Sequence, residues 1–146
     1  MKVLVISGPN LNLLGHREPE IYGKDTLSDI EDFINNSHPR NAFNSEWRQS
    51  NSESEIIKWI QEANNENFEA IIINPAGLTH TSVSVHDALK SFKGIKLEVH
   101  LSNTYKREEF RKVKITSAAS DGVIEGFGKY SYFLAFKYLE DKVRIA

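Results

Sequence analysis

Residues able to do chemistry gather in a few short stretches of this chain. The densest runs from Gly8 to Gly23, where Asn10, Arg17 and Tyr22 stand among glycines and prolines just after an apolar run, Val3 to Ser7. That composition suits a shaped loop better than a core. A free phenol titrates near pH ~10 and is a poor base at neutral pH, but a nearby positive charge favours its ionised form. Arg17 held against Tyr22 would therefore make a general base.

A second cluster is Glu98-Val99-His100-Leu101-Ser102-Asn103. In an extended strand Glu98 and His100 point to the same face. A carboxylate beside an imidazole fixes its tautomer and raises the imidazolium fraction. Such a histidine is a general acid suited to a poor leaving group such as hydroxide. An ion pair that only closes the sheet is the bland alternative, and Ser102 and Asn103 beside it favour chemistry.

Other residues have two open readings. His80, between Thr79 and Thr81, either supports a helix cap or bonds a substrate hydroxyl. Asp87 reads most simply as a solvated helix carboxylate. Arg107 and Arg111 share a helical face, with Glu108 in reach of Arg111. They form either a salt-bridged surface turn or a guanidinium fork aimed at a carboxylate.

Composition removes several classes of function. The chain has no cysteine, so disulfides, thiolate metal sites and a cysteine nucleophile are excluded. A formal net charge of −2 provides no field for nucleic acid or anionic membranes. No Walker loop, Gly-x-Gly-x-x-Gly or Gly-x-Ser-x-Gly element occurs. The histidines show no helical metal-ligand spacing, although His80 and His86 leave that question open. The N-terminal apolar run is too short for a signal peptide, and no stretch has transmembrane length. A soluble cytoplasmic protein is the expectation.

These residues need a scaffold, and the apolar runs supply one. Val3 to Ser7, Ser45 to Gln49, Ala70 to Ile73, Ile95 to Val99 and Gly122 to Gly126 read as buried strands. Helices are predicted after a capping sequence at Thr26 to Asp29, over Ser52 to Asn64, Ser82 to Phe92, and Tyr130 to Lys142. In the last, Phe133, Leu134, Tyr138 and Leu139 are expected to face inward. Alternating strands and helices imply right-handed crossovers and a flavodoxin-like α/β three-layer sandwich with a five-stranded parallel sheet. No linker or repeat divides residues 1–146, so one domain is expected. Ligands of such sheets bind beyond the carboxyl ends of the strands, where Asn10, Asn74, His80, His100 and Ser102 all fall.

Six motifs then occur in order: Gly8 to Gly15, Arg17-Glu18-Pro19 with Ile21-Tyr22-Gly23, Gln49 to Glu53, Leu78 to Ser82, Glu98 to Asn103, and Arg107 to Arg111. Together they closely resemble the type II 3-dehydroquinate dehydratase family over essentially the whole chain. The resemblance implies a cofactor- and metal-free anti elimination of water from 3-dehydroquinate through an enolate, giving 3-dehydroshikimate, a shikimate-pathway step. It puts the base at Tyr22, activated by Arg17, and the general acid at His100, oriented by Glu98. Asn10 would hold a water or stabilise the enolate. Substrate contacts fall on Asn74, His80, Asp87, Leu101, Ser102 and Arg111. The family's trimers associate into a homododecamer, and Asp87 would complete a neighbouring site. Ala76 stands where the family commonly has glycine, and Lys114-Ile115 where it often has Ser-Tyr or Ser-Met. A non-catalytic binder of a cyclic polyhydroxy acid is the alternative of a different class. A nucleotide binder fits less well, since no loop is built for phosphate.

Overall fold

The computed structural model describes residues 1–39 and 41–145. Five strands are present: β1 (Lys2–Ser7), β2 (Asn44–Gln49), β3 (Ala70–Asn74), β4 (Ile95–His100) and β5 (Gly122–Glu125). They form one sheet in the order β2-β1-β3-β4-β5, and every pairing is parallel. This is the flavodoxin-like order. β3 is buried at every position, as a central strand covered on both faces must be.

The helices are α1 (Pro19–Tyr22), α2 (Leu27–Asn35), α3 (Glu53–Ala63), α4 (Val83–Ser91) and α5 (Tyr130–Ile145). Alternation along the strands divides the core in two. Val3, Val5, Ile72 and Val99 face α2 and α5, where Ile30, Ile34 and Phe136 meet them. Leu4, Ile6, Ile71 and Ile73 face α3 and α4, meeting Ile56, Ile60, Val85 and Leu89. The predicted cap of α2 is a full capping box: the Asp29 amide donates to Thr26 Oγ1 at 3.1 Å, and the Thr26 amide to Asp29 Oδ2 at 2.9 Å. Ser52 and Ser82 cap α3 and α4. No helix among the described residues is long and apolar enough to cross a membrane.

Two expectations are corrected. On α5 the inward stripe is Tyr132, Ala135, Phe136 and Leu139, while Leu134 and Tyr138 are exposed at 40% and 44%. Leu139 is buried and Phe133 packs partly buried against the same core, as expected, but apolar residues on several sides of this helix led the pattern to include Leu134 and Tyr138 as well. Tyr22, placed in a loop by its glycine and proline neighbours, instead ends the one-turn helix α1, which Pro19 starts.

The corrected register predicts an asymmetry. Phe136→Ala should lower the unfolding free energy by about 3–5 kcal/mol through loss of buried ring and creation of a cavity. Leu134→Ala should change it by under about 1 kcal/mol. Equal losses in chemical denaturation would refute the register.

Candidate active site

The loops after β1, β3 and β4 converge at the carboxyl edge of the sheet. Gly8 follows β1, and its amide donates to the Asn74 carbonyl at 2.8 Å. A Cβ at Gly8 would sit 2.4 Å from the Pro75 carbonyl oxygen, so only glycine allows this approach. Asn10 adopts a left-handed conformation with φ 72°. Its amide donates to Asn51 Oδ1 at 2.9 Å, and Gln49 Nε2 donates to the Gly8 carbonyl and to Asn51 Oδ1, both at 3.2 Å. The Gln49-Ser50-Asn51 motif thus braces the loop that presents Asn10, a role the sequence did not reveal.

Buried Leu11 and Leu14 anchor the chain before it rises toward α1. There the Arg17 guanidinium lies 5.0 Å from the Tyr22 ring centroid. A second guanidinium, from Arg107, lies 4.9 Å from the same ring. Arg107 also donates from Nη1 to Ser102 Oγ at 3.2 Å. Arg107 was not among the predicted site residues, because a surface ion-pair reading accounted for its run. Tyr22 is therefore flanked by two positive charges drawn from distant parts of the chain.

At the end of β3, Asn74 is buried and its Oδ1 accepts from the Ala76 amide at 3.0 Å. Ala76 takes φ 55°, a left-handed conformation that glycine adopts freely and alanine only with strain. Beneath Asn74 lies the fully buried Tyr132 of α5, whose hydroxyl is 3.5 Å from Ser7 Oγ. His80 Nδ1 donates to the Val113 carbonyl at 2.6 Å. Burial pushes the His80 pKa down, and the Arg111 charge pushes the same way against the Val113 bond, with a net lowering. A neutral imidazole with Nδ1–H committed leaves Nε2 as an acceptor for a ligand hydroxyl.

On β4, Glu98 and His100 do share a face. His100 Nε2 donates to Glu98 Oε2 at 2.8 Å, and Glu98 has no exposed surface. Burial alone would raise the Glu98 pKa. The hydrogen bond and charge of His100 and the hydroxyls of Ser117 and Thr116 outweigh it, leaving the carboxyl below its usual 4.5.

Asn10, Arg17, Tyr22, Asn74, His80, His100, Leu101, Ser102, Arg107 and Arg111 line one cavity of about 140 Å³. Its lining includes three arginines and no carboxylate, so it suits an anion. Beyond Tyr22 lies a wider groove that shares Tyr22, Leu101, Ser102 and Arg107 with it. Asp87 is not in the lining: it is exposed on α4, with its Oδ1 accepting from His86 Nδ1 at 2.9 Å. Lys114 pairs with Glu125 and lies 3.9 Å from the Tyr105 ring centroid. It ties the segment after β4 to β5 outside the cavity. Among the described residues no group of three or more His, Cys, Asp or Glu side chains could hold a metal ion.

The architecture and the cavity define a doubly wound α/β protein with a polar pocket at the carboxyl edge of a parallel sheet. The family model described as Dehydroquinase class II matches residues 1–140. Over 145 residues the chain is 50% identical to a 3-dehydroquinate dehydratase of Caldanaerobacter subterraneus, covering 97% of each chain. It is likewise 50% identical over 139 residues to one from Bartonella henselae, covering 95% of this chain and 93% of that protein. The crystal structure of a type II dehydroquinase from Butyrivibrio crossotus superposes with a TM-score of 0.92 at 43% identity, over 95% of this chain and 97% of that one. The chain belongs to the class II dehydroquinase family.

The buried carboxylate has a pH signature. The folded pKa of Glu98 lies below the unfolded one, so its stabilisation is fully present above the usual 4.5 and is lost as pH falls through the folded value. Glu98→Gln should flatten this acid limb in denaturant titrations at stepped pH. An unchanged acid limb would show that Glu98 is not its source.

Proposed function

We propose that this chain dehydrates 3-dehydroquinate to 3-dehydroshikimate, with Tyr22 as base and His100 as acid. The observation that carries these roles is the one cavity shared by an arginine-flanked phenol and a carboxylate-backed imidazole. The Tyr22 oxygen takes the proton next to the substrate ketone, and the C–H electron pair moves into the enolate. Asn10 donates to the enolate oxygen directly or through a water, stabilising charge where it develops. The enolate then collapses and expels the β-hydroxyl, which leaves as water with a proton from His100. Tyr22 has gained one proton and His100 has lost one, and returning it through water resets the site.

Binding follows from the same lining. Arg111 is placed for the substrate carboxylate, whose planar form its guanidinium can grip. His80 Nε2 accepts from a ring hydroxyl, while Asn74, Ser102 and the Leu101 backbone hold the remaining polar groups. Arg17 and Arg107 hold positive charge 5.0 and 4.9 Å from the Tyr22 ring centroid, beside the proposed base. The chain acts as a single cytoplasmic domain, 1–146, without a cofactor, and assembles as a homododecamer of trimers. Asp87 of a neighbouring copy completes each site, a reading supported by its exposure and its absence from the lining of its own cavity.

The ultraviolet absorbance of the conjugated enone product reports turnover. Tyr22→Phe keeps the ring and removes the proton acceptor, so kcat should fall by about 10²–10⁴-fold with unchanged circular dichroism. Full activity would eliminate Tyr22 as the base. For Asp87, co-refolding impaired Asp87→Ala chains with Tyr22→Phe chains should recover activity above that of either alone. No recovery would count against a contribution from a neighbouring copy.

A further inference from the structure

Glu98 is surrounded by more donors than His100 alone. Thr116 Oγ1 donates to Glu98 Oε1 at 2.5 Å. Ser117 Oγ donates to Oε2, and Thr79 Oγ1 lies 3.2 Å from the same oxygen. The Thr79 and Thr116 hydroxyls are 2.7 Å apart, and both residues are fully buried. A proton count orders this network. Each hydroxyl has one hydrogen. The hydrogen of Thr116 is committed to Oε1, so the one between the threonines belongs to Thr79. The order is therefore Thr79 to Thr116 to Glu98, with the longer Thr79 contact to Oε2 as a minor branch. The Ile115 amide donates to the Thr79 carbonyl at 2.6 Å, holding the two segments in register.

From this count we propose that Thr116, aided by Thr79 and Ser117, is a positioning residue: its hydrogen bond holds Glu98 as an acceptor, so that His100 keeps its Nε2 proton and delivers its acid proton from Nδ1. The inference rests on the reading of His100 as the acid. His100, Ser117 and the Thr79 branch converge on Oε2, and Thr116 takes Oε1. Each of these donors favours the carboxylate over the carboxylic acid, so a proton passing from Nε2 to Glu98 would weaken the bonds the hydroxyls make. Nδ1, the other ring nitrogen, is left for the cavity that His100 lines. Thr79, Thr116 and Ser117 lie outside the cavity lining, so their effect passes through Glu98.

Thr116→Val keeps the shape and removes the hydroxyl. It should reduce kcat by about ten- to a hundredfold, as expected for losing a hydrogen bond to a charged group, and leave KM within about twofold, the signature of an interaction expressed in the transition state. The sharp Nε2–H proton signal of His100 in nuclear magnetic resonance should broaden or vanish. Thr116→Ser, which keeps the donor, should restore both. If Thr116→Val does not fold, Ser117→Ala should give the same split and the same change in the imidazole signal. Wild-type kcat in the folded variant, a defect confined to KM, or failure of Thr116→Ser to rescue would each overturn the proposal. His100→Ala separates the two readings. An active His100→Ala removes His100 as the acid. An inactive His100→Ala beside a wild-type Thr116→Val refutes the positioning role alone.

Discussion

Glu98 holds a carboxylate with no exposed surface, and taking such a charge out of water costs several kcal/mol unless partners replace its hydration. The segments around β4 are arranged to supply them. The turn after β3 brings Thr79, the turn before β5 brings Thr116 and Ser117, and the strand itself brings His100. These pieces lie far apart in sequence, so the charge can exist only once the sheet and its connections are in place. The histidine that lines the cavity inherits its orientation from a group outside the lining.

The opposite side of the cavity uses the reverse strategy. Arg17 and Arg107 bring positive charge to an aromatic face without a carboxylate in the cavity lining to neutralise it. Arg17 pairs with Glu18 at 3.6 Å and Arg111 with Glu108, both carboxylates outside the lining, so the cavity itself still presents guanidiniums alone and favours an anionic occupant. The side of the cavity around His100 is, by contrast, built on a hydrogen-bonded carboxylate. The close approach at Gly8 joins these halves, because it fixes the loop bearing Asn10 against the one bearing Asn74.

Much of this architecture was legible in the chain. The strands announce themselves as β-branched runs ended by Gly, Pro or Asn, and their carboxyl ends carry the polar residues. Helix caps were equally clear, since Thr26 and Asp29 have the spacing that a capping box needs. What escaped depended on three-dimensional company. Arg107 looked like a surface charge until Ser102 and Tyr22 came beside it. Thr79, Thr116 and Ser117 looked like ordinary turn hydroxyls, because nothing local marks a distant buried carboxylate. On α5 apolar residues occur on several sides, so periodicity could not tell Phe136 from Tyr138. The glycine expected at position 76 has a backbone explanation: the turn demands a left-handed residue, and here alanine accepts it.

The Tyr22 ring divides two spaces, the small cavity and the wider groove behind it. With Leu101, Ser102 and Arg107 it forms the wall between them. A rotation that carries the phenol away from Arg17 and Arg107 also opens that wall, so a ligand long enough to span both compartments must part the ring from its two guanidiniums as it enters. The size of the chamber and the electrostatic setting of the phenol are thereby coupled.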